Sequence, residues 1–343
     1  MRKGKPQEVW IIMKEVCLGT IGSGPIVHHI LDNVQKVEGV SLKAVYSRTI
    51  ERARQLADEY GCTNVYTSLE KMLGDESVNT VYVASPNILH YEQAKQALLA
   101  GKHVWCEKPF TTTLAQAEEL ISIAEEKGLY LIEAAPPMFV PNFKLLKMYL
   151  PKVGRVRLVL GSYSQYSSRY DNLKNGELPN IFNPEMGGGC LMDINFYNVL
   201  LCCALFGKPD EATYTANIFP GVGCDTSGVA VLKYPDFTAV CSGAKDTWGT
   251  NAFQIQGEEG FIRIDGGSNG LAEIALGTKE ETKVYSHQPD PDRWYYEVEE
   301  LTRLFLEDAK DEIDGRHEII RNTVDTMCRL RASAGIRFPG DPE

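Results

Sequence analysis

Strand and helix alternate without a break from Val16 to about Ala135, and this alternation restricts the fold more than any other feature of the chain. Short apolar runs at 16–21, 40–46, 80–84, 103–106 and 130–133 read as buried strands. The segments between them, 25–36, 50–60, 69–73, 91–100 and 114–127, carry helical periodicity. Such a series closes into a parallel sheet wound on both faces, which receives its ligands at the C-terminal ends of the strands. After Ala135 the pattern changes. Pro136, Pro137 and Pro141 interrupt it, a helix follows at 142–150, and alternating or β-branched runs take over at 155–164, 211–219, 228–234, 238–245, 252–256 and 260–265. Two amphipathic helices, 294–309 and 317–334, close the chain. We therefore expect an α/β domain over residues 14–135, and over 136–343 a second domain with an open, mostly antiparallel sheet and C-terminal helices. Residues 1–13 are expected to have no structural role, with Met13-Lys14 a natural alternative beginning.

The strand ends carry the chemistry. The first runs into Gly22-Ser23-Gly24-Pro25-Ile26, where Gly22 permits a tight turn and Gly24 lets backbone approach a pyrophosphate at a helix start. The third glycine of the dinucleotide fingerprint is replaced by Val27. The second strand ends in Ser47-Arg48-Thr49, where an acidic residue would grip the ribose hydroxyls of NAD. A guanidinium at that point suits the 2′-phosphate of NADP, so NADP(H) is the expected cofactor, with NAD(H) admissible. The next strand end offers Ser85-Pro86-Asn87 and then His90, the latter read as either a ligand contact or a helix cap. Glu107-Lys108-Pro109 follows the 103–106 strand, and the proline biases the Lys108 backbone toward extended conformations. Farther on, Gly187-Gly188-Gly189 leads into a helical run in which Asp193 and Tyr197, four residues apart, share one face.

Composition excludes several classes of partner. Forty-six acidic residues against 35 basic ones leave a net charge of −11, a poor match to nucleic acid or an anionic membrane. The apolar stretch near 199–206 is too short to span a bilayer. The nine cysteines lack a Cys-x-x-Cys spacing, so neither a zinc site nor a disulfide frame is expected, and the composition reads as a cytoplasmic protein with reduced thiols.

Taken together, the Gly22-x-Gly24 turn, Glu107-Lys108-Pro109 and Gly188-Gly189…Asp193…Tyr197 resemble the Gfo/Idh/MocA oxidoreductases, from about Lys14 to the C-terminus. Arg48, Lys233-Tyr234-Pro235, Gln256–Gly260 and Gly335–Pro339 are most similar to the dihydrodiol dehydrogenase and NADP-linked sugar dehydrogenase branch. The resemblance implies an N-terminal Rossmann domain, a second sheet that often forms the dimer interface, and a homo-oligomer that is a dimer or a dimer of dimers. It implies that Lys108 is the catalytic lysine, that Asp193 helps bind substrate, and that Tyr197 stands where relatives place a catalytic Tyr or His. Glu107, Lys108 and the strand-end residues named above would then hold the cofactor. The chemistry is coherent, because removing hydride from an alcohol needs a base for its proton, and an ammonium beside a tyrosine favours the phenolate. Pro136-Pro137-Met138 replaces the aromatic and Arg usual in relatives, and Asn195 and Asn198 are expected to reshape the pocket. Tyr163, Tyr166, Arg169 and Tyr170 are candidates for lining a sugar, cyclitol or vicinal-diol site. Two other activities are implied by the same resemblance, a nucleotide-sensing regulator and an NAD-dependent glycosidase.

Overall fold

The computed structural model describes residues 15–341, so the expectation for 1–13 lies outside the described residues. Strands β1 (Val16–Ile21), β2 (Val40–Tyr46), β3 (Asn64–Tyr66), β4 (Thr80–Val83), β5 (His103–Glu107) and β6 (Leu131–Ala134) form one sheet in the order β3-β2-β1-β4-β5-β6, every pairing parallel. Helices cover both faces, which is why β4 and β6 are buried at every residue rather than at alternate ones. Leu18, Ile21, Val81 and Val104 are essentially removed from solvent, each burial contributing roughly 1.5–3 kcal/mol. The strand order reverses direction between β1 and β4, so their C-terminal ends diverge and open a crevice.

The second sheet contains β7 (Val156–Ser164), β8 (Glu211–Ile218), β9 (Asp225–Lys233), β10 (Thr238–Ala244), β11 (Ala252–Gly257), β12 (Gly260–Asp265), β13 (Glu273–Thr278) and β14 (Thr282–Tyr285). Their order is β14-β13-β12-β11-β7-β10-β9-β8. All pairings are antiparallel except β7 with β10 at the centre, so the sheet is mixed rather than a simple meander. The sequence reading missed β3, β13 and β14: β3 and β14 span only three and four residues, and β13 is buried at four successive positions, so none carries a clear alternation.

One face of this sheet packs against the run Pro184–Phe206, a π-turn at Leu191–Asn195 continuing as the helix Phe196–Phe206. The run is apolar and long enough to cross a membrane by composition, yet most of it is buried inside the protein, as befits a core helix. Glycines in the strands let it approach. A Cβ on Gly161 would come 2.9 Å from the Asn198 side chain, and one on Gly243 would lie 2.7 Å from Asn195 Cβ. Asn195 and Asn198 are fully buried and do not reshape a pocket. Asn195 Nδ2 donates to the Cys241 carbonyl (3.0 Å), and Asn198 Nδ2 donates to Asn195 Oδ1 (3.0 Å) and the Ser242 carbonyl (3.1 Å). They pin the helix to β10, satisfying groups that would be costly to leave unpaired.

The closing helices, Arg293–Leu306 and Lys310–Ser333, do not follow the division between the sheets. Ile320 and Val324 join the core beneath the parallel sheet, while His317 Nε2 lies 3.1 Å from the Leu131 carbonyl of β6. The same long helix carries Ser333, whose Oγ accepts from Tyr214 N of β8 (2.8 Å). It fastens the two sheets together.

Candidate active site

A cleft of about 420 Å³ lies where the crevice of the parallel sheet meets the π-turn. Its walls include Pro25, Ile26 and His29 from the first helix, Ala84, Ser85 and Asn87 after β4, Glu107 and Lys108 at the end of β5, and Asp193 and Tyr197. These four separated stretches of the sequence thus converge here.

At the dinucleotide end the backbone is shaped around open space. Gly22 has φ +116°, and a Cβ there would strike the Ala84 carbonyl oxygen at 2.5 Å. At Gly24 a Cβ would meet nothing within 4 Å, and the helix Pro25–Val34 begins there without a side-chain cap. Open space beside uncapped helix N–H groups is what a pyrophosphate requires, so these residues fit the group. Ser23 lies in an adjoining hollow of about 310 Å³ with His28, Arg52 and Gln55. Ser47 is buried, whereas Arg48 is exposed and makes no hydrogen bond or ion pair among the described residues. Arg52 was not singled out from sequence, although it lies one helical turn beyond Arg48.

Pro86 sets the turn between Ser85 and Asn87, and Asn87 Nδ2 donates to the Gly187 carbonyl (2.8 Å), joining the two halves of the cleft. His90 lines the cleft and opens the helix His90–Leu99. It is 1% exposed, with Nδ1 3.0 Å from the Pro109 carbonyl and Nε2 2.9 Å from the Ser85 carbonyl. It braces the two strand ends; burial lowers its pKa and the two carbonyls pull the other way. Glu107 is buried and accepts a hydrogen bond from Tyr82 Oη (2.6 Å); burial raises its pKa to about 7. Glu133, beneath the same turn, accepts from Phe110 N (2.9 Å) and is raised by burial to about 8.

At the centre Lys108 Nζ donates to the Asp193 backbone oxygen (2.9 Å) and to Asp193 Oδ1 (3.2 Å). It also sits 4.9 Å from the centroid of the Tyr197 ring. Burial works against the Lys108 charge, but Tyr197, Asp193 and Glu107 outweigh it and its pKa is raised. Asp193 is held well below the usual carboxylate range, because Lys108 and Lys245 overcome the effect of its burial. The expectation for Tyr197 is corrected. Burial dominates, the cations Lys108 and Arg293 offset only part of it, and the phenol is pushed up to about 12. The ammonium faces the ring, and at neutral pH the hydroxyl keeps its proton.

Of the proposed sugar-site residues, Arg169 reaches the cleft. Tyr163 packs behind Tyr197 with ring centroids 6.0 Å apart and accepts a hydrogen bond from Asn269 (2.6 Å). Tyr166 stacks on Trp248, and Tyr170 packs beside Phe182 and Phe219. Sequence reasoning missed Lys245, Trp294 and Arg293. Lys245 contacts Asp193 Oδ2, and the Trp294 indole is stacked on His29 (4.0 Å) with the Arg293 guanidinium 4.1 Å from it. A lysine closing an apolar strand was the one available signal.

Residues 17–134 match the family described as "Oxidoreductase family, NAD-binding Rossmann fold", and residues 151–263 match "GFO/IDH/MocA C-terminal domain". Scyllo-inositol 2-dehydrogenase (NADP(+)) of Bacillus subtilis is 36% identical over 94% of this chain and 98% of its own length. D-xylose 1-dehydrogenase (NADP(+)) 2 of Haloferax volcanii is 29% identical over 90% of this chain and 94% of its own. The crystal structure of a 3-ketoreductase from Actinomadura kijaniata, in complex with NADP and TDP-benzene, shares the fold, with TM-score 0.79 at 22% identity over 92% of this chain and 97% of that one.

Proposed function

Because the chain belongs to the Gfo/Idh/MocA family and is an NAD(P)-dependent dehydrogenase acting on CH–OH groups, we propose that it prefers NADP(H) and acts on a secondary alcohol or carbonyl of a small polyhydroxylated molecule: a sugar, a cyclitol or a vicinal diol. The observation carrying this reading is the meeting of Lys108, Asp193 and Tyr197 in one cleft with the start of the first helix. The bound nicotinamide would accept or supply the hydride. Everything else is done by the chain. The uncapped helix start and Arg48 bind phosphate, Lys108 orients the reacting oxygen by a charge-assisted hydrogen bond, and Tyr197 Oη holds the proton that oxygen gains or loses. Asp193 keeps Lys108 charged and aimed. In the reductive direction Tyr197, protonated at neutrality, is ready to donate. The experiment is a panel of sugars, cyclitols and vicinal diols with NADP⁺ or NAD⁺, following formation of the reduced nucleotide. Turnover with NADP⁺ is expected. Tight nucleotide binding with no turnover on any member of the panel would favour a nucleotide-sensing regulator.

The same reading extends to assembly. The outer face of the second sheet exposes Leu160 (38%), Val229 (40%) and Val231 (38%), and Val240 pairs with both Leu160 and Val231. Contiguous apolar side chains of this kind seek a partner, and a second copy meeting sheet to sheet would cover them. A monomer in light scattering at micromolar concentration would remove the dimer from the account.

A further inference from the structure

We propose that Lys245 is a positioning residue, the second cation of a buried Lys108–Asp193–Lys245 triad, which neutralises Asp193 so that Lys108 faces Tyr197 with its positive charge uncancelled. The proposal rests on the reading above for its catalytic meaning, but its electrostatics do not. Lys245 follows β10 directly, and its side chain is only 4% exposed. Its backbone is fixed on both sides, the N–H donating to the Thr226 carbonyl (2.8 Å) and the carbonyl accepting from Ser167 N (2.9 Å). The ammonium contacts Asp193 Oδ2, while Lys108 takes Oδ1. Each carboxylate oxygen therefore has its own lysine.

Burying an ammonium is costly, and one cation would suffice to pair Asp193. A carboxylate between two ammoniums leaves the triad at +1, whereas Lys108 and Asp193 alone would sum to zero. The other acids near Lys245 are engaged elsewhere. Asp225 accepts from Leu191 N (2.7 Å) and Tyr214 Oη (2.8 Å), and Asp246 accepts from Thr226 Oγ1 (2.6 Å) and Ser227 Oγ (2.9 Å). The thiols of Cys190 and Cys224 are also close, and burial raises both pKa values, keeping them neutral. Tyr197 is faced by Lys108 from β5, Arg293 from the first closing helix, Glu107, Asp193 and the ring of Tyr163. Within that set the triad decides whether Lys108 acts on Tyr197 as a cation or as half of a neutral pair.

The test replaces Tyr197 by 3,5-difluorotyrosine, whose phenol ionises well below that of tyrosine, and follows its ¹⁹F resonance against pH in the protein without substrate. Lys245→Met should raise the midpoint by about one unit, as expected for loss of one charge at short range in a medium of intermediate dielectric. Asp193→Asn should lower it. The double variant Asp193→Asn/Lys245→Met restores the net charge and should return the midpoint close to that of the parent, and Lys245→Arg should leave it there. An unchanged midpoint in Lys245→Met, or a double variant displaced as far as the single, would overturn the proposal. Should Lys245→Met fail to fold, the double variant must still lie about one unit above Asp193→Asn. Because the titration needs no turnover, a protein that oxidises no polyol would defeat the proposed reaction and leave this result standing on its own.

Discussion

The two sheets treat their faces differently. In the parallel sheet both faces are covered, so function is confined to the C-terminal strand ends, where backbone and side chains emerge together at Gly22, Ser85 and Lys108. In the second sheet one face holds the core helix and the other lies open, with Val229, Val231 and Leu160 alternating against the buried Ala230, Leu232 and Val159. The first sheet contributes the nucleotide-binding crevice and the lysine proposed to react. The second contributes the platform that carries Asp193, Tyr197 and Lys245 to that lysine, and it leaves an apolar face open. Substitutions at the strand ends should therefore change chemistry while sparing assembly, and those on the open face should do the reverse.

The largest effect is expected at the end of β5. Lys108→Ala should lower kcat by roughly 10²–10⁴-fold while nucleotide binding, followed by fluorescence titration, persists. Retention of near-normal kcat would separate the parallel sheet from the chemistry. Next, Arg48→Ala should erase a preference for NADP(H) worth roughly 1.5–3 kcal/mol, about ten- to a hundredfold in relative affinity. Titration of both nucleotides decides it, and an unaltered ratio would make Arg48 a surface residue. On the open face, Val231→Lys should convert the proposed dimer to monomer in light scattering with little change in nucleotide affinity. A dimer that persists unchanged would remove the contrast between the faces.

The smallest effect concerns the acids under the Lys108 turn. Glu133, raised to about 8, binds a proton in the native state that the unfolded chain has already lost above its ordinary carboxylate range. Its stabilising contribution is therefore complete at acidic pH and is lost as pH rises through about 8. Glu133→Gln keeps an acceptor for Phe110 N and has no proton to lose. Its unfolding free energy should fall less than that of the parent between pH 6 and pH 9, by an amount on the order of 1–3 kcal/mol, read as a smaller drop in Tm. Parallel Tm curves would contradict the assignment.

The strand-end motifs were legible because local chemistry fixes them. Gly22 is required by its left-handed φ and the Ala84 carbonyl, and Glu107-Lys108-Pro109 ends a run that nothing but a buried strand explains. Asp193 and Tyr197 were legible from their spacing, even though Asp193 lies within the π-turn Leu191–Asn195 and Tyr197 in the helix that continues it. Lys245, Arg293 and Trp294 were not, since each is an ordinary residue at the edge of an element and acquires its role only when distant segments meet. Burial also reversed one inference. Proximity of an ammonium suggested a lowered phenol, and the desolvation that no sequence pattern reveals raises it instead. Asn195 and Asn198, read as pocket residues because they depart from the family's pattern, instead meet sheet carbonyls that the sequence hides.

The most direct test is the pH dependence of kcat/KM for NADP⁺-linked oxidation of the best polyol, measured for the wild type and for Tyr197→Phe. With the phenol pushed up to about 12, the phenolate is the minor form throughout neutrality. The wild-type rate should climb close to tenfold per pH unit across the range in which the protein stays folded, and Tyr197→Phe should lose both the climb and most of the activity. Identical profiles for the two proteins would contradict the account, leaving Lys108 as the base and Tyr197 outside the chemistry.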